Sequence, residues 1–329
     1  MAKSSMRAIQ CVEWGGPEKL VLAEVPTPQP GPGEIRIRIG AAGVNFPDGL
    51  IIQRKYQVRP ELPFIPGTEV AGRVDAVGEG VTDIRPGERV VAFVGIGGFA
   101  EAVCVPTSQA VTLPEQISDE VAAAFTLTYA TAHHALIDRA QLKNRETLLV
   151  LGAGGGVGLA AVQIGRLIGA RVIAAASTDE KLAAAHRAGA DDLINYSALD
   201  LRESVKTITA GKGADVIFDP VGGAYTEAAL RAIAWRGRLL VVGFANGEIP
   251  LIPVNLLLIK GAAAVGVFWG DFAKREPTAN RMLMSSLFGW LAQGRVQPQV
   301  AATFPLEQTA EAIATVMQRR AVGKLVVKP

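Results

Sequence analysis

The sequence predicts an α/β protein of two domains, one built on a doubly wound parallel sheet and the other rich in β-strands. The chain has 329 residues, and a single hydrophobic core rarely grows beyond roughly 250–300 residues. Up to Glu115, short apolar runs alternate with turn residues, which is typical of a β-rich domain. From Thr147 onward, continuous apolar strands alternate with helices, an order typical of a parallel sheet covered on both faces.

The first part of the chain is expected to form short strands bounded by turns. Apolar and charged residues alternate strictly within Ile35–Ile39, as in a strand with one buried face. Pro30–Gly33 and Arg85–Glu88 are turns that come directly before strands. The expected strands are Arg7–Glu13, Glu34–Ala42, Glu69–Val77, Arg89–Phe93 and Ala102–Leu113.

An Ala-rich, mostly apolar region, Ser118–Ile137, predicts one or two helices that lead into the second domain. Ser118 is the expected N-cap, and Asp119 and Glu120 lie in the first turn.

The second part of the chain alternates strands with helices. Its strands are apolar without interruption, so we expect both faces of their sheet to be buried. The expected strands are Leu148–Leu151, Arg171–Ala176, Asp215–Phe218, Arg238–Phe244 and Ala262–Phe268, and the expected helices are Val157–Gly169, Asp179–Ala188 and Tyr225–Trp235.

After Trp269 we expect a helix near Thr278–Gln293 and two short strands. The tail around Leu325–Val327 is β-like, so it is expected to return to the first domain. The predicted first domain therefore comprises residues 1–122 and 270–329, and the second comprises residues 123–269.

Composition excludes several classes of protein. Hydrophobic residues make up 49% of the chain and charged residues 19%, which excludes a disordered chain. The formal net charge of +2 gives no reason to expect nucleic acid or a membrane surface as the main partner. Two cysteines, Cys11 and Cys104, cannot form a disulfide framework or a four-thiolate zinc site. Residues 1–16 lack the apolar run of a signal peptide, so we expect a cytoplasmic location.

A glycine-rich turn is the strongest chemical signal in the sequence. The uncharged stretch Thr147–Gly165 approaches the roughly 20 residues of a membrane span, but its clustered glycines favour a strand, a turn and a new helix. Gly155 would let the backbone approach a pyrophosphate, and Gly158 would let the helix pack on the strand. The strict G-x-G-x-x-G spacing is not met, because its first position is Ala153.

The turn has more than one interpretation. It predicts a Rossmann-type dinucleotide site in which the helix start binds the phosphates. The alternatives are a tight packing turn in another α/β protein and the glycine turn of a methyltransferase. The expected cofactor-binding residues of the turn are Gly154, Gly155, Gly156 and Val157.

The next strand favours NADP over NAD. NAD sites place an acid at the end of this strand to bind the ribose hydroxyls, but the chain has Ala176 there and no acid before Asp179. Ser177 and Lys181 suit a 2′-phosphate instead. The alternative is that Lys181 is an ordinary solvated helix residue.

Other chemistries lack their motifs. There is no His-Glu-x-x-His, G-x-S-x-G or G-x-x-x-x-G-K-[ST] motif, and no tyrosine is followed four residues later by lysine. Adjacent His133 and His134 would point about 100° apart on a helix, so they cannot easily share a metal. Their expected role is on the helix surface or in packing.

The chain resembles the quinone oxidoreductase branch of the medium-chain dehydrogenase/reductase superfamily over essentially its whole length. The segments that carry the resemblance are Gly43–Asp48, Pro66–Gly72, Gly152–Gly158, Ile194–Tyr196 and Gly323–Lys324. The resemblance implies a GroES-like substrate domain onto which the chain end folds back, with a Rossmann domain between. Leu50 stands where the family has a tyrosine.

The resemblance also implies that both zinc sites of zinc-containing relatives are empty here. Those relatives have cysteine at the position of Asn45 and histidine at the position of Thr68, and the four-cysteine lobe is absent.

Residues that match family positions fall into three groups. For Phe268 and Trp269, core or subunit packing is an equally good interpretation. The groups are Lys181, Tyr196 and Arg319 around the adenosine 2′-phosphate, Asn45 and Thr131 near the nicotinamide, and Gly243, Phe244, Phe268 and Trp269 in segments that line its far side.

The implied activity is hydride transfer from NADPH to a substrate that is already electrophilic. Reduction of a plain ketone needs a zinc ion or an acidic tyrosine to polarise the carbonyl, and neither is expected here. Quinones and α,β-unsaturated carbonyl compounds need no such help. Asn45 could hydrogen-bond the carboxamide or a substrate oxygen, or be structural. Water is the expected proton source, with Asp48 and Tyr56 as weaker candidates.

Two other functions stay open at this point. One is an enoyl-thioester reductase of the same fold, for which Arg54, Lys55 and Arg59 could form a basic cluster, although a solvated surface is their simpler role. The other is a non-catalytic relative that binds nucleotide or RNA, against which the near-neutral charge weighs.

A homodimer is also expected. Ala262–Phe268 is an uncharged apolar strand at the end of its sheet. Pairing with its copy across a two-fold axis would cover this edge, as in relatives.

Overall fold

The computed structural model of the chain describes residues 4–329. Residues 1–3, part of the segment in which we expect no signal peptide, lie outside the described residues. The strands are β1 (Ser5–Cys11), β2 (Leu20–Pro26), β3 (Glu34–Val44), β4 (Glu69–Val77), β5 (Arg89–Phe93), β6 (Ala102–Pro106), β7 (Ala110–Thr112), β8 (Thr147–Leu151), β9 (Arg171–Ala176), β10 (Asp192–Asn195), β11 (Ala214–Asp219), β12 (Ile233–Val241), β13 (Ala263–Gly266), β14 (Val300–Pro305) and β15 (Lys324–Lys328).

The helices lie mostly in the second half of the chain, as expected from the change in pattern at Thr147. A π-helical segment, His134–Arg139, continues α2. The helices are α1 (Phe46–Ile52), α2 (Asp119–His133), α3 (Gly156–Ile168), α4 (Asp179–Arg187), α5 (Leu201–Ile208), α6 (Ala224–Arg231), α7 (Asn255–Lys260), α8 (Trp269–Arg275), α9 (Pro277–Ala292) and α10 (Thr309–Met317).

The chain divides into two compact units. The first contains the residues up to Leu127 together with Pro298–Pro329, and the second contains Thr128–Gln297. The α/β fold class is confirmed, with a β-rich unit and a unit built on a parallel sheet. The first boundary follows Leu127 rather than residue 122, and residues 270–297 belong to the second unit rather than the first.

Aromatic packing explains this difference. On α8, the Phe272 ring stacks on His134, with 4.3 Å between the ring centroids. On α9, the Trp290 ring lies 5.4 Å from His133. These contacts tie residues 270–297 to the helix that leads into the second unit, and the sequence pattern shows no sign of them.

The larger sheet of the first unit has the order β14-β15-β3-β4-β5-β7, and β6 also pairs with β3. The antiparallel pairing of β15 with β3 places Val326 opposite Gly43, so the predicted return of the chain end is confirmed. The alternation in β3 is less strict than the sequence suggests. Arg38 is exposed, but Arg36 is buried and its guanidinium donates a hydrogen bond to Asp75 at 2.7 Å.

The second unit contains a parallel sheet with the order β10-β9-β8-β11-β12-β13. Counted from β8, this is the 3-2-1-4-5-6 order of the doubly wound dinucleotide-binding fold. The side chains of Leu148–Leu151 in β8 are fully buried, as expected for a central parallel strand. The strand order reverses between β8 and β11, and ligands of such sheets bind at the carboxyl ends of the strands at this point.

Several boundaries differ from the predicted ones. The expected helix Tyr225–Trp235 ends at Arg231, because burial in the sheet overrides the helix-favouring composition of the following residues, which begin β12. A 3₁₀ turn, Thr107–Gln109, interrupts the expected strand Ala102–Leu113. The elements that the sequence pattern did not reveal are β2, α1, β10, α5, α7, α8 and α10.

The stretch Thr147–Gly165 consists of β8, a turn and the first part of α3, as predicted. Across residues 4–329, the structure contains no helix whose length and hydropathy would let it cross a bilayer.

Candidate functional site

The glycine turn connects β8 to α3 and depends on close backbone contact. Gly152 has φ = +61°, a left-handed conformation that favours glycine. A Cβ atom on Gly158 would lie under 3.0 Å from the carbonyl oxygen of Gly152. Gly152 therefore makes the turn possible, and Gly158 makes the close packing of α3 possible.

The amino end of α3 is open to an anion. Gly155 is the N-cap residue and offers no side chain to cap the helix. The nearest atom to a Cβ built on Gly155 is 3.5 Å away, so nothing crowds its backbone. The predicted residues Gly155, Gly156 and Val157 are all partly exposed. The N–H groups of the first helical turn can therefore bind phosphate oxygens.

Gly154 has a role that the spacing did not suggest. It is buried, and a Cβ on it would lie under 3.0 Å from Cβ of Lys181. The stem of Lys181 therefore packs directly on the glycine turn. Its ammonium lies 3.3 Å from the hydroxyl of Ser177. The structure thus brings the turn and two of the predicted phosphate-binding side chains together.

Tyr196 joins the same edge of the sheet. Its backbone N–H donates to the carbonyl of Ala176 at 3.1 Å, and its ring lies 4.3 Å from that of Tyr225. Ser177, Lys181 and Tyr196 therefore lie at the carboxyl ends of the adjacent strands β9 and β10. Tyr225 was missed, because a tyrosine in an expected helix carries no specific signal.

Two further predicted residues lie elsewhere in the chain. Arg319 is exposed, has φ = +57° and follows α10 in the first unit. Thr131 is half-buried on the part of α2 that belongs to the second unit.

The loop after β11 is organised by Asp219, a residue that the sequence analysis missed. Its carboxylate accepts hydrogen bonds from the backbone N–H groups of Val221 and Gly222 at 2.8 and 2.9 Å and from the hydroxyl of Thr226. Its backbone carbonyl accepts from the N–H of Gly243 at 3.3 Å. Burial raises the pKa of Asp219 despite these bonds. Asp219 thus couples this loop to the predicted segment that begins at Gly243.

The two aromatic residues after β13 differ in their exposure to solvent. Phe268 is 47% exposed, whereas Trp269 is only 3% exposed. The indole N–H of Trp269 donates to the side-chain oxygen of Asn280 on α9 at 2.9 Å. These contacts favour the packing interpretation for Trp269, whereas Phe268 stays partly open to solvent. Phe244 is half-buried.

In the first unit, the side chain of Asn45 is fully engaged with protein groups. Its amide nitrogen lies within hydrogen-bond distance of Glu69 Oε1 at 2.8 Å, Thr68 Oγ1 at 3.1 Å and the carbonyl of Gly43 at 3.3 Å. Its amide oxygen accepts from the ammonium of Lys324 at 2.6 Å. These contacts favour the structural interpretation of Asn45.

Lys324 and Glu69 form a buried ion pair with an Nζ–Oε1 distance of 2.8 Å. The ammonium also donates to the carbonyl of Val44 at 3.0 Å, so its three hydrogens have three oxygen partners. The second carboxylate oxygen of Glu69 accepts from the N–H of Leu127 at 2.7 Å. The Gly323–Lys324 motif was noted as a resemblance, but only the structure shows its partner.

Asp48 is a second fully buried carboxyl in this cluster. Among the described residues, no cation pairs with it as Lys324 pairs with Glu69. One oxygen accepts from the backbone N–H of Asn45 at 2.8 Å. The other, Oδ1, is buried and has no hydrogen-bond partner in the described part of the chain. Burial raises the pKa of Asp48 to about 7, and the nearby charge of Lys324 opposes this rise.

The chemistry of these side chains is unsuited to zinc. The positions at which zinc-containing relatives have cysteine and histidine hold an amide and a hydroxyl, and Lys324 places an ammonium among their oxygens. Within residues 4–329, no three or more His, Cys, Asp or Glu side chains are grouped to hold a metal ion.

Comparison with known families agrees with the fold. Residues 31–115 match the family described as "Alcohol dehydrogenase GroES-like domain", and residues 156–285 match the family described as "Zinc-binding dehydrogenase". The fold and the glycine turn therefore define a medium-chain dehydrogenase/reductase, with a GroES-like unit and a Rossmann unit.

Individual relatives indicate which family of this superfamily the chain is similar to. The chain is 40% identical to "Quinone oxidoreductase-like protein 2" of Bos taurus, over 98% of this chain and 92% of that protein. A mycobacterial protein solved in complex with NADPH has a TM-score of 0.93 and 34% identity, covering 99% of this chain and 100% of that one. The Escherichia coli quinone oxidoreductase complexed with NADPH has a TM-score of 0.93 and 31% identity, covering 98% and 100%. The chain belongs to the quinone oxidoreductase family of this superfamily.

The raised pKa of Asp48 predicts a pH-dependent loss of stability. The folded protein keeps a proton that the unfolded chain releases near pH 4, so stability falls as pH rises from about 4 to about 7 and stays lower above. The Asp48→Asn substitution removes this ionisation, and the new amide oxygen can still accept the hydrogen bond from the Asn45 N–H. Relative to wild type, we expect this variant to gain about 2–3 kcal/mol between pH 5 and pH 8, measured by urea unfolding. Asp83→Asn, at an exposed site, controls for the loss of one charge, and a gain that does not depend on pH would contradict the assignment.

The buried ion pair makes a second prediction. Lys324→Met leaves the Glu69 carboxylate buried without a counter-charge and is expected to lower the unfolding free energy by about 3–5 kcal/mol. Adding Glu69→Gln removes the uncompensated charge and should restore part of the loss. Equal stability of the single and double variants in chemical denaturation would show that the two groups do not interact.

Proposed function

We propose that the protein is an NADPH-dependent reductase that transfers hydride to quinones or other α,β-unsaturated carbonyl compounds without zinc. The observation that carries the proposal is the position of Lys181, packed on Gly154 of the glycine turn with its ammonium beside Ser177. A cation and a hydroxyl at the end of β9 suit a 2′-phosphate, and Ala176 provides no carboxylate for the ribose of NAD. The NADPH complexes of the two similar structures support this cofactor.

The residues of the second unit bind and orient the cofactor in this proposal. The amino end of α3, at Gly155, Gly156 and Val157, holds the diphosphate, and Gly158 allows the helix to begin there. Lys181, Ser177 and Tyr196 hold the 2′-phosphate. Thr131 and the segments of Gly243, Phe244 and Phe268 are proposed to position the nicotinamide, while Trp269 packs against α9.

When bound, NADPH supplies the hydride, and the first unit is the proposed substrate domain. The three hydrogens of the Lys324 ammonium are already bonded to protein oxygens, so this cation cannot polarise a substrate carbonyl. The amide hydrogens of Asn45 are likewise engaged. The chain therefore favours acceptors whose conjugation already makes them electrophilic.

Asn45 is best described as a positioning residue that orders the turn before α1. Its amide oxygen accepts from the ammonium of Lys324, and its amide hydrogens face protein oxygens. Asp48 is fully buried, so we propose water as the proton source.

The proposed subunit contact is a homodimer through the edge of the second unit's sheet. β13 is an edge strand, and two of its four residues, Ala263 and Ala264, are exposed alanines. Trp235 of the neighbouring strand is 68% exposed and lies close to Gly261, after α7. This apolar surface would be covered in a dimer. The segment between β12 and β13 carries further exposed apolar residues, Ile249, Leu251, Val254, Leu258 and Ile259.

Relative turnover tests the activity. We expect NADPH oxidation with a simple quinone or enone to exceed that with the matched saturated ketone by at least about 100-fold, and to be unaffected by a zinc chelator, because the hydrogens of Lys324 and Asn45 are already bonded to protein oxygens. A preference for enoyl thioesters would favour the alternative reductase. NADPH binding without turnover of any acceptor would favour a non-catalytic protein.

The proposed contact between Lys181 and the 2′-phosphate is tested in the same assay and by titration of each nucleotide. Lys181→Met keeps a stem on Gly154 but removes the charge, so NADPH binding should weaken by about tenfold, a typical value for a charge-assisted hydrogen bond, whereas NADH binding should change little. Lys212→Met, at an exposed lysine after α5, is the matched control. An equal effect on both nucleotides would refute the 2′-phosphate contact.

The dimer is tested by light scattering at micromolar concentration. Leu258→Glu places a charge on the apolar surface and should yield a monomer, because a buried unpaired charge opposes association. Leu193→Glu, on β10 at the opposite edge of the same sheet, should leave the dimer intact. A wild-type monomer would contradict the proposal.

A further inference from the structure

The phosphate-binding edge of the second unit contains acids as well as a lysine. Asp179 and Glu180 occupy the first turn of α4, between Ser177 and Lys181. A carboxylate that turned toward a 2′-phosphate would repel it, and one that reached the ribose hydroxyls would favour NADH. The proposed preference for NADPH therefore depends on where the Asp179 carboxylate is held.

Asn195 holds that carboxylate. It is the last residue of β10 and lies opposite Ala176, the last residue of β9, in the parallel register. Its side-chain nitrogen donates to Asp179 Oδ1 at 2.8 Å. This register places the amide beside the start of α4, across the gap between the two strand ends.

The orientation of the Asn195 amide is determined by a second bond. Its side-chain oxygen accepts from the backbone N–H of Ser197 at 3.1 Å. A flipped amide would set its NH₂ group against that N–H and its oxygen against the Asp179 carboxylate, losing both hydrogen bonds. The nitrogen must therefore face Asp179, so Asn195 can act only as a donor to this acid.

We propose that Asn195 is a specificity-determining positioning residue, which keeps the Asp179 carboxylate tied to β10 and so leaves the phosphate subsite to Ser177, Lys181 and Tyr196. Asn195 carries no charge, so it restrains the acid without competing with Lys181 for the phosphate. This inference rests on the proposed use of NADPH and adds a residue that acts through Asp179 rather than through contact with the cofactor.

The test measures the dissociation constants of NADPH and NADH by titration, with no need for turnover, for wild type, Asn195→Ala, Asp179→Ala and the double variant. Asn195→Ala should weaken NADPH binding by about 3- to 10-fold, the range expected for a carboxylate and a phosphate a few ångströms apart in water, and should leave NADH binding unchanged or tighter. In the Asp179→Ala background, the same substitution should have no effect. Because exposed charges are screened, the loss should shrink at 0.5 M salt.

A matched control separates this role from a general effect on the strand end. In the Glu180→Ala background, Asn195→Ala should still weaken NADPH binding, since Glu180 is the neighbouring acid in the same turn. A loss that persists without Asp179, or that affects NADH equally, would overturn the inference, as would an unchanged NADPH constant for Asn195→Ala. If wild type does not prefer NADPH to NADH, the proposed function itself fails, and that result is visible before any variant is made.

Discussion

The close approach of backbone to backbone at the start of α3 is the constraint on which the Rossmann unit depends. α3 can begin directly against β8 only because Gly158 has no Cβ to strike the carbonyl of Gly152. The same turn admits the stem of Lys181 only because Gly154 also lacks a Cβ. One glycine-rich turn thus sets both the helix end proposed to bind a diphosphate and the position of the Lys181 ammonium near the end of β9.

The first unit is organised by a different interaction, a buried ammonium. Lys324 arrives on the last strand and neutralises Glu69 on β4, while Asn45 bridges them at the start of α1. A Cβ on Gly43 would lie under 3.0 Å from the Glu69 carboxylate, so this glycine leaves room for the acid. Breaking such a pair would leave an uncompensated charge in the protein interior, which is destabilising. The ion pair therefore keeps these polar groups in place.

Sequence reasoning performed best where a pattern repeats locally. β4, β5 and β9 have the predicted bounds, and the Ser118 hydroxyl accepts from the N–H of Val121, as expected of an N-cap. It failed for α6, where the Ala-rich run into Trp235 predicts a helix but pairing with β11 makes it a strand. In the candidate site, the turn and Lys181 were predicted from spacing, whereas the hydrogen bonds of Asp219 and the bond from Asn195 to Asp179 were not, because each joins residues that no local pattern connects.

The amino-acid sequence by itself determined the class of fold, the glycine turn and the absence of an acid at Ala176, since strand periodicity, helix caps and backbone freedom depend on residues close together in the chain. The tertiary structure alone decided which polar groups meet. It placed Lys324 on Glu69, 255 residues apart in the chain, moved residues 270–297 into the second unit, and tied Asp179 to Asn195. Such contacts depend on strand order and register, which no local pattern of residues contains.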